Sequence, residues 1–197
     1  GKSYLVRKFL DRVVAAHPEV VVLTGRCHER EFVPYKGFDG IVDDLARWLT
    51  TRTAAEVEAL VPTWGSCLTQ VFPVLDRVET IANALPPERS LDPQQLRARA
   101  FAALRALLGR IARRWRLVLA IDDLPRTDAD SLALMRELLR PPAAPAMLLV
   151  ATLRDGAVMP DAAPELSATL ALVGRVEDLH LEALTADAAR ALATHLA

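Results

Sequence analysis

Five apolar residues in succession, Leu117-Val118-Leu119-Ala120-Ile121, end in two adjacent carboxylates, Asp122 and Asp123. A run of this length without alternation belongs to a strand covered on both faces. That makes it a central strand of a parallel sheet between helices. Ligands of such sheets gather beyond the carboxyl ends of the strands, where the two aspartates stand. Alternation of further apolar runs with amphipathic stretches extends the pattern. Glu19–Thr24, Met147–Thr152 and the partly alternating Arg175–Leu181 read as strands. Helices are expected from the Gly1-Lys2-Ser3 start to a close at His17-Pro18, over residues 35–50, 54–60 and 93–114, after Thr127 or Asp128, and from Leu184 onward. The result is an α/β fold with a parallel sheet flanked by helices. The span 54–91, punctuated by Pro62, Pro73, Pro86 and Pro87, reads as a helical insertion or a long connection.

The chain opens on Gly1-Lys2-Ser3, followed by Leu5, Val6, Phe9, Leu10, Val13 and Val14 at helical spacing. Gly-Lys-Ser at the mouth of a helix is the last part of the phosphate-binding loop G-x-x-x-x-G-K-[ST]. There the glycine admits phosphate to the backbone, the lysine reaches the β- and γ-phosphates, and the serine hydroxyl ligates magnesium. The tripeptide alone is common at helix starts; its weight comes from the acidic strand end downstream. Together they have the form of Walker A and Walker B elements of a P-loop NTPase. In that arrangement Asp122 holds magnesium opposite Ser3, and Asp123 orients or deprotonates an attacking water. The plainer alternative is a helix cap or a solvated turn. Arg154, at the end of the Met147–Thr152 run, is placed to meet the γ-phosphate, or simply to pair with Asp155. A P-loop follows a buried strand, so the chain reads as a segment of a longer protein, with that strand preceding Gly1.

Composition narrows the partners. With 197 residues, 52% of them apolar, and a net charge of −1, the chain has material for a core and no bulk attraction to nucleic acid or membrane. No apolar run approaches the roughly 20 residues that span a bilayer. Cys27 and Cys67 lie far apart and read as reduced thiols of a cytoplasmic protein. His17, His28, His180 and His195 show no metal-ligand spacing. The arginine row Arg97, Arg99, Arg105, Arg110, Arg113 and Arg114 reads as a solvated helix face rather than a nucleic-acid face.

Three strings carry a resemblance: VVVLTGRCHEREFVPYKGFDGIVDDLARWL, DPQQLRARAFAALRALLGRIARRWRLVLAIDDLPRTDADS and LLVATLRD. They resemble the AAA-type ATPase module of bacterial STAND regulators, as found fused to serine/threonine protein kinases, LuxR-type regulators and adenylate cyclases. The resemblance is also to origin-recognition-like AAA proteins. It implies five strands in the order 5-1-4-3-2, with an ATPase core over residues 1–182 and the start of a helical lid over 183–197. Gly1, Lys2 and Ser3 would bind ATP or ADP phosphates. Ser3 and Asp122 would bind Mg2+, Asp123 would serve hydrolysis, and Arg154 would act as sensor. It further implies a switch in which nucleotide state governs self-association and an attached effector domain. Two stretches depart from the pattern. Pro125-Arg126 replace the usual Gln-Trp after Asp-Asp-Leu, and Glu182-Ala183-Leu184-Thr185 lacks the usual glycine.

Overall fold

The computed structural model describes residues 1–27, 34–85, 91–153, 168–172, 174–187, 190 and 194. Three parallel strands, β1 (Val21–Arg26), β2 (Leu117–Asp122) and β3 (Met147–Ala151), lie in the order β1-β2-β3. This is the 4-3-2 part of the expected order. The register sets Arg26 opposite Asp122 and Ile121 opposite Ala151. The carboxyl ends of all three strands therefore finish side by side.

Helix α1 (Lys2–Ala16) covers one face, resting on Val22, Val118, Ala120 and Val150 through Val6 and Leu10. The other face carries α2 (Lys36–Thr50), α6 (Pro93–Ala112) and α7 (Ala129–Leu139), whose apolar stripes share one large core with Leu23, Leu119 and Ile121. Local chemistry fixes where these helices begin. Asp92 caps α6 by accepting the Gln95 N–H at 2.9 Å, and Pro93 occupies the first turn, where its missing donor costs nothing. Asp128 caps α7. Pro18 stops α1 by excluding helical backbone at His17.

The span between α2 and α6 resolves into α3 (Ala54–Leu60), α4 (Ser66–Val71), a 3-10 turn at Pro73–Arg77 and α5 (Glu79–Ala82). Thr53 and Glu56 form a capping box that starts α3. Leu68, Leu75 and Ile81 are fully buried in the main core, so these short helices are part of its wall.

The expected fourth strand is absent. Residues 175–181 carry no strand or helix, and Val176, Leu179 and Leu181 are exposed, Leu179 at 87%. Alternation supplies an amphipathic ribbon but no neighbour. A strand forms only where another strand accepts its ladder hydrogen bonds, and none among the described residues does so. Beyond it, Ala186, Asp187, Arg190 and Thr194 are helical.

Arg113 and Arg114 are exposed, as a solvated face requires, but the other four arginines of the row are engaged within the chain. Arg97 pairs with Asp130 at 2.7 Å, and Arg105 with Glu137 at 2.9 Å. Arg110 donates to the Val61 carbonyl at 2.6 Å, and the Arg99 guanidinium lies 4.1 Å from the Trp64 ring centroid. They bind α6 to α7 and to the short helices. Among the described residues, no helix is long and apolar enough to cross a membrane.

Candidate nucleotide site

Gly1 is the N-cap of α1, and no side chain caps that helix, in contrast to α3, α6 and α7. Among the described residues, no side chain caps the first-turn N–H groups, and a helix start of this kind favours an anion. Lys2, half-buried, is the first helical residue. Ser3 faces the strand ends, and its hydroxyl donates to Asp122 Oδ1 at 2.9 Å across 119 positions of sequence.

Asp122 Oδ1 accepts a second hydroxyl, that of Thr152 just past β3, at 2.7 Å. Thr152 Oγ1 in turn accepts the Asp123 N–H at 2.8 Å. One buried threonine therefore holds both aspartates. Asp122 Oδ2 lies 3.6 Å from Arg26 Nε. Arg26 is 65% exposed, so solvent screens this pair. A cleft of about 450 Å³ opens between α1, β1 and α2, lined among others by Ser3, Arg7, Arg26, Lys36, Asp39 and Asp122. The hydroxyl and carboxylate oxygens of Ser3 and Asp122 are hard donors, and their convergence beside an uncapped helix start fits a magnesium–phosphate group.

Asp123 has left the strand. Its φ of 61° places it in the left-handed region, which side chains other than glycine, asparagine and aspartate seldom occupy. A 3-10 turn over Leu124–Arg126 follows, closed by the Arg126 N–H donating to the Asp123 carbonyl at 3.0 Å. The same turn brings Arg126 Nε to 2.8 Å from Asp123 Oδ2.

Behind this turn, Asp128 joins two helix starts. Its Oδ1 accepts the Ser131 N–H at 2.8 Å and the Tyr35 N–H at 3.2 Å, and its Oδ2 accepts the Ser131 hydroxyl at 2.6 Å. Ser131 Oγ accepts the Gly37 N–H at 3.1 Å. Burial pushes the Asp128 carboxyl up, but the hydrogen bonds from Ser131 and Tyr35 outweigh it and hold the group below its ordinary range. Tyr35, itself at φ 65°, sets its ring edge-on to Phe72 and Phe101. Gly25 permits a close approach of β1 to α2: a Cβ there would stand 2.3 Å from the Gly37 carbonyl oxygen. Burial raises the Cys27 thiol above its ordinary value, partly offset by its hydrogen bond with Thr127, which leaves it poorly nucleophilic.

Of the predicted site residues, Gly1, Lys2, Ser3, Asp122 and Asp123 gather at one end of the sheet. Arg154 lies outside the described residues. Thr152 and the Asp128–Ser131 pair are additions. A threonine closing an apolar run next to the acidic strand was a signal for the first, and an Asp-x-x-Ser spacing at a helix start for the second.

Comparison with curated proteins and with solved structures found no match in either. The family model described as AAA ATPase domain matches residues 1–150, a stretch that begins at Gly1 and runs through β1, the paired aspartates and most of β3. A parallel α/β sheet, an uncapped helix starting in Gly-Lys-Ser and an acidic strand end beside it thus meet in one recognised unit, and the chain belongs to the AAA ATPase domain family.

Proposed function

We propose that this chain binds ATP with Mg2+, hydrolyses it slowly, and serves as the regulatory module of a larger cytoplasmic signalling protein. The observation that carries the reading is the meeting of Ser3 and Asp122 at 2.9 Å beside the uncapped start of α1. Gly1, Lys2 and Ser3 would hold the phosphates, and Ser3 and Asp122 the metal. When bound, Mg2+ neutralises charge on the phosphate oxygens. Asp123 orients the attacking water and accepts its proton. Arg154 is assigned to the γ-phosphate as sensor. The Thr152 hydroxyl keeps the two aspartates in fixed relation. An attached effector domain and self-association that depend on ATP or ADP complete the proposal.

A second reading is a nucleotide-binding oligomerisation scaffold with little hydrolysis. The ion pair on Asp123 favours it, since it engages the proposed base. An origin-recognition-like role on DNA ranks below both, because Arg97, Arg105 and Arg110 are engaged within the chain.

ATP binding and turnover of the full-length protein separate these readings. Lys2→Ala should lose a charge-assisted phosphate contact worth roughly 1.5–3 kcal/mol. Unchanged ATP affinity in that variant defeats the nucleotide reading. Asp123→Asn should abolish turnover while ATP still binds; background turnover in the unaltered protein would favour the scaffold.

A further inference from the structure

We infer that the amino-terminal end of the sheet, opposite the nucleotide site, is a docking groove for an acidic peptide segment that also carries aliphatic side chains. A groove of about 590 Å³ lies there between the last turn of α1, the starts of β2 and β3, and the turn that joins α6 to β2. Its floor is aliphatic. Val13 and Val20 are half-buried, and Val118 pairs in register with Leu148. Leu148, two residues before Val150 and therefore on the same face of β3, is 49% exposed. Its rim is cationic: Arg113, Arg114 and Arg116 follow one another closely in sequence, and all three are exposed. The end of α6 accounts for Arg113 and Arg114, since cations are favoured at a helix carboxyl terminus. It does not account for Arg116, which lies past the helix at the start of β2.

The charges select the occupant. Among the described residues, neither Arg113 nor Arg116 has a carboxylate partner, and Arg114 lies in the field of Glu56 of α3. At the opposite rim His17 stands 3.7 Å from Glu19. Arginine clusters recognise acidic motifs because the planar guanidinium meets a carboxylate with two parallel hydrogen bonds. Unpaired cations beside an aliphatic floor call for a ligand with both features: carboxylates for the rim, and leucine-, isoleucine- or valine-like side chains for the floor. A nucleic acid would find cations but a poor stacking surface. The aromatic residue lining the groove, Trp115, is set edge-on to Trp48 at 5.1 Å, with the Arg52 guanidinium 6.0 Å from its ring centroid. A groove of this size takes a few side chains rather than a folded surface, which suits a segment. β2 begins at this groove with Leu117 and ends at Asp122, so the groove and the nucleotide site lie at opposite ends of one strand, roughly 17–20 Å apart. The groove and its chemistry are independent of the nucleotide reading.

The test measures binding to the full-length protein by fluorescence anisotropy with three labelled probes. They are a pool of synthetic peptides in which glutamate alternates with leucine, isoleucine or valine, the same pool with lysine in place of glutamate, and a single-stranded DNA oligonucleotide. The glutamate pool should bind more tightly than the lysine pool and weaken as salt is added. Arg113→Ala combined with Arg116→Ala should weaken it by about two- to twentyfold, the combined effect of two surface ion pairs. Both side chains are exposed, so this variant keeps its fold. Leu148→Ser, which removes apolar surface from the floor, should weaken it by about threefold. Should Leu148→Ser not fold, the arginine variant decides alone. Glutamate peptides that bind no better than lysine peptides overturn the proposal, and so does binding indifferent to either substitution. An oligonucleotide that binds more tightly than the glutamate peptides, and is released by the same arginine substitutions, assigns the groove to nucleic acid and overturns peptide docking.

Discussion

The two faces of the sheet are built to different standards. On the α2–α6–α7 face, Leu45, Leu104, Leu107 and Leu134 are completely buried in a continuous core. On the α1 face, the buried cluster comprises Leu10, Val118 and Ala120, while Tyr4, Leu5, Phe9 and Val14 of α1 are exposed. β2 shows the same contrast with β3. The first is buried along five of its six residues; the second is half-buried, with Leu148 49% exposed. Among the described residues, the larger buried core therefore lies on one face. The helix that carries Gly1, Lys2 and Ser3 lies on the other, where the described residues give it a small apolar contact and the Ser3–Asp122 hydrogen bond. A site that must respond to its ligand is better placed on the weakly held side, since low local stability is what permits local motion.

The contrast can be broken by mutation. Leu107→Ala, in the large core, should destabilise the unit by about 2–5 kcal/mol in chemical denaturation, the range for a buried leucine leaving a cavity. A loss below about 1 kcal/mol would show that this face does not carry the stability. Asp128→Ala removes a helix cap and leaves the Tyr35 N–H and the Ser131 hydroxyl without their acceptor. A loss of about 1–3 kcal/mol is expected.

The same carboxylate sets a pH dependence. Its pKa is lower folded than unfolded, so its contribution is complete above the unfolded value, about 3.9 for aspartate, and is lost as pH falls through the still lower folded value. Denaturation midpoints should therefore fall in acid for the unaltered protein and less steeply for Asp128→Ala. The smallest effect belongs to the other face. Phe9→Ser on α1, where Phe9 is 42% exposed, should alter stability by no more than about 0.5 kcal/mol. A larger loss would mean that α1 is as firmly built in as α6.

Much of this unit was legible from residue order. The unbroken Leu117–Ile121 run located the central strand because burial on both faces leaves no polar position to confuse the pattern. Proline and aspartate marked the start of α6 through local chemistry. Residues 175–181 misled because period-two alternation encodes a face but not a partner. The α6 arginines misled in the opposite way: helical spacing reports which side a residue takes, not that Asp130, Glu137 and the Val61 carbonyl await it there. Within the site, the acidic pair and the Gly1-Lys2-Ser3 start were visible as motifs. Thr152 and the grip of Arg126 on Asp123 were not, since both depend on how a strand end and a single turn are folded back.

The central claim is that Ser3 and Asp122, brought together at the end of β2, hold the metal of a bound nucleotide. It is tested most directly by calorimetric titration of the full-length protein and its Asp122→Asn variant with ATP, each with and without Mg2+. The account predicts that Mg2+ strengthens ATP binding to the unaltered protein and that Asp122→Asn abolishes most of this gain, about tenfold in affinity for one lost charge-assisted contact. Equal strengthening by Mg2+ in both proteins would contradict it.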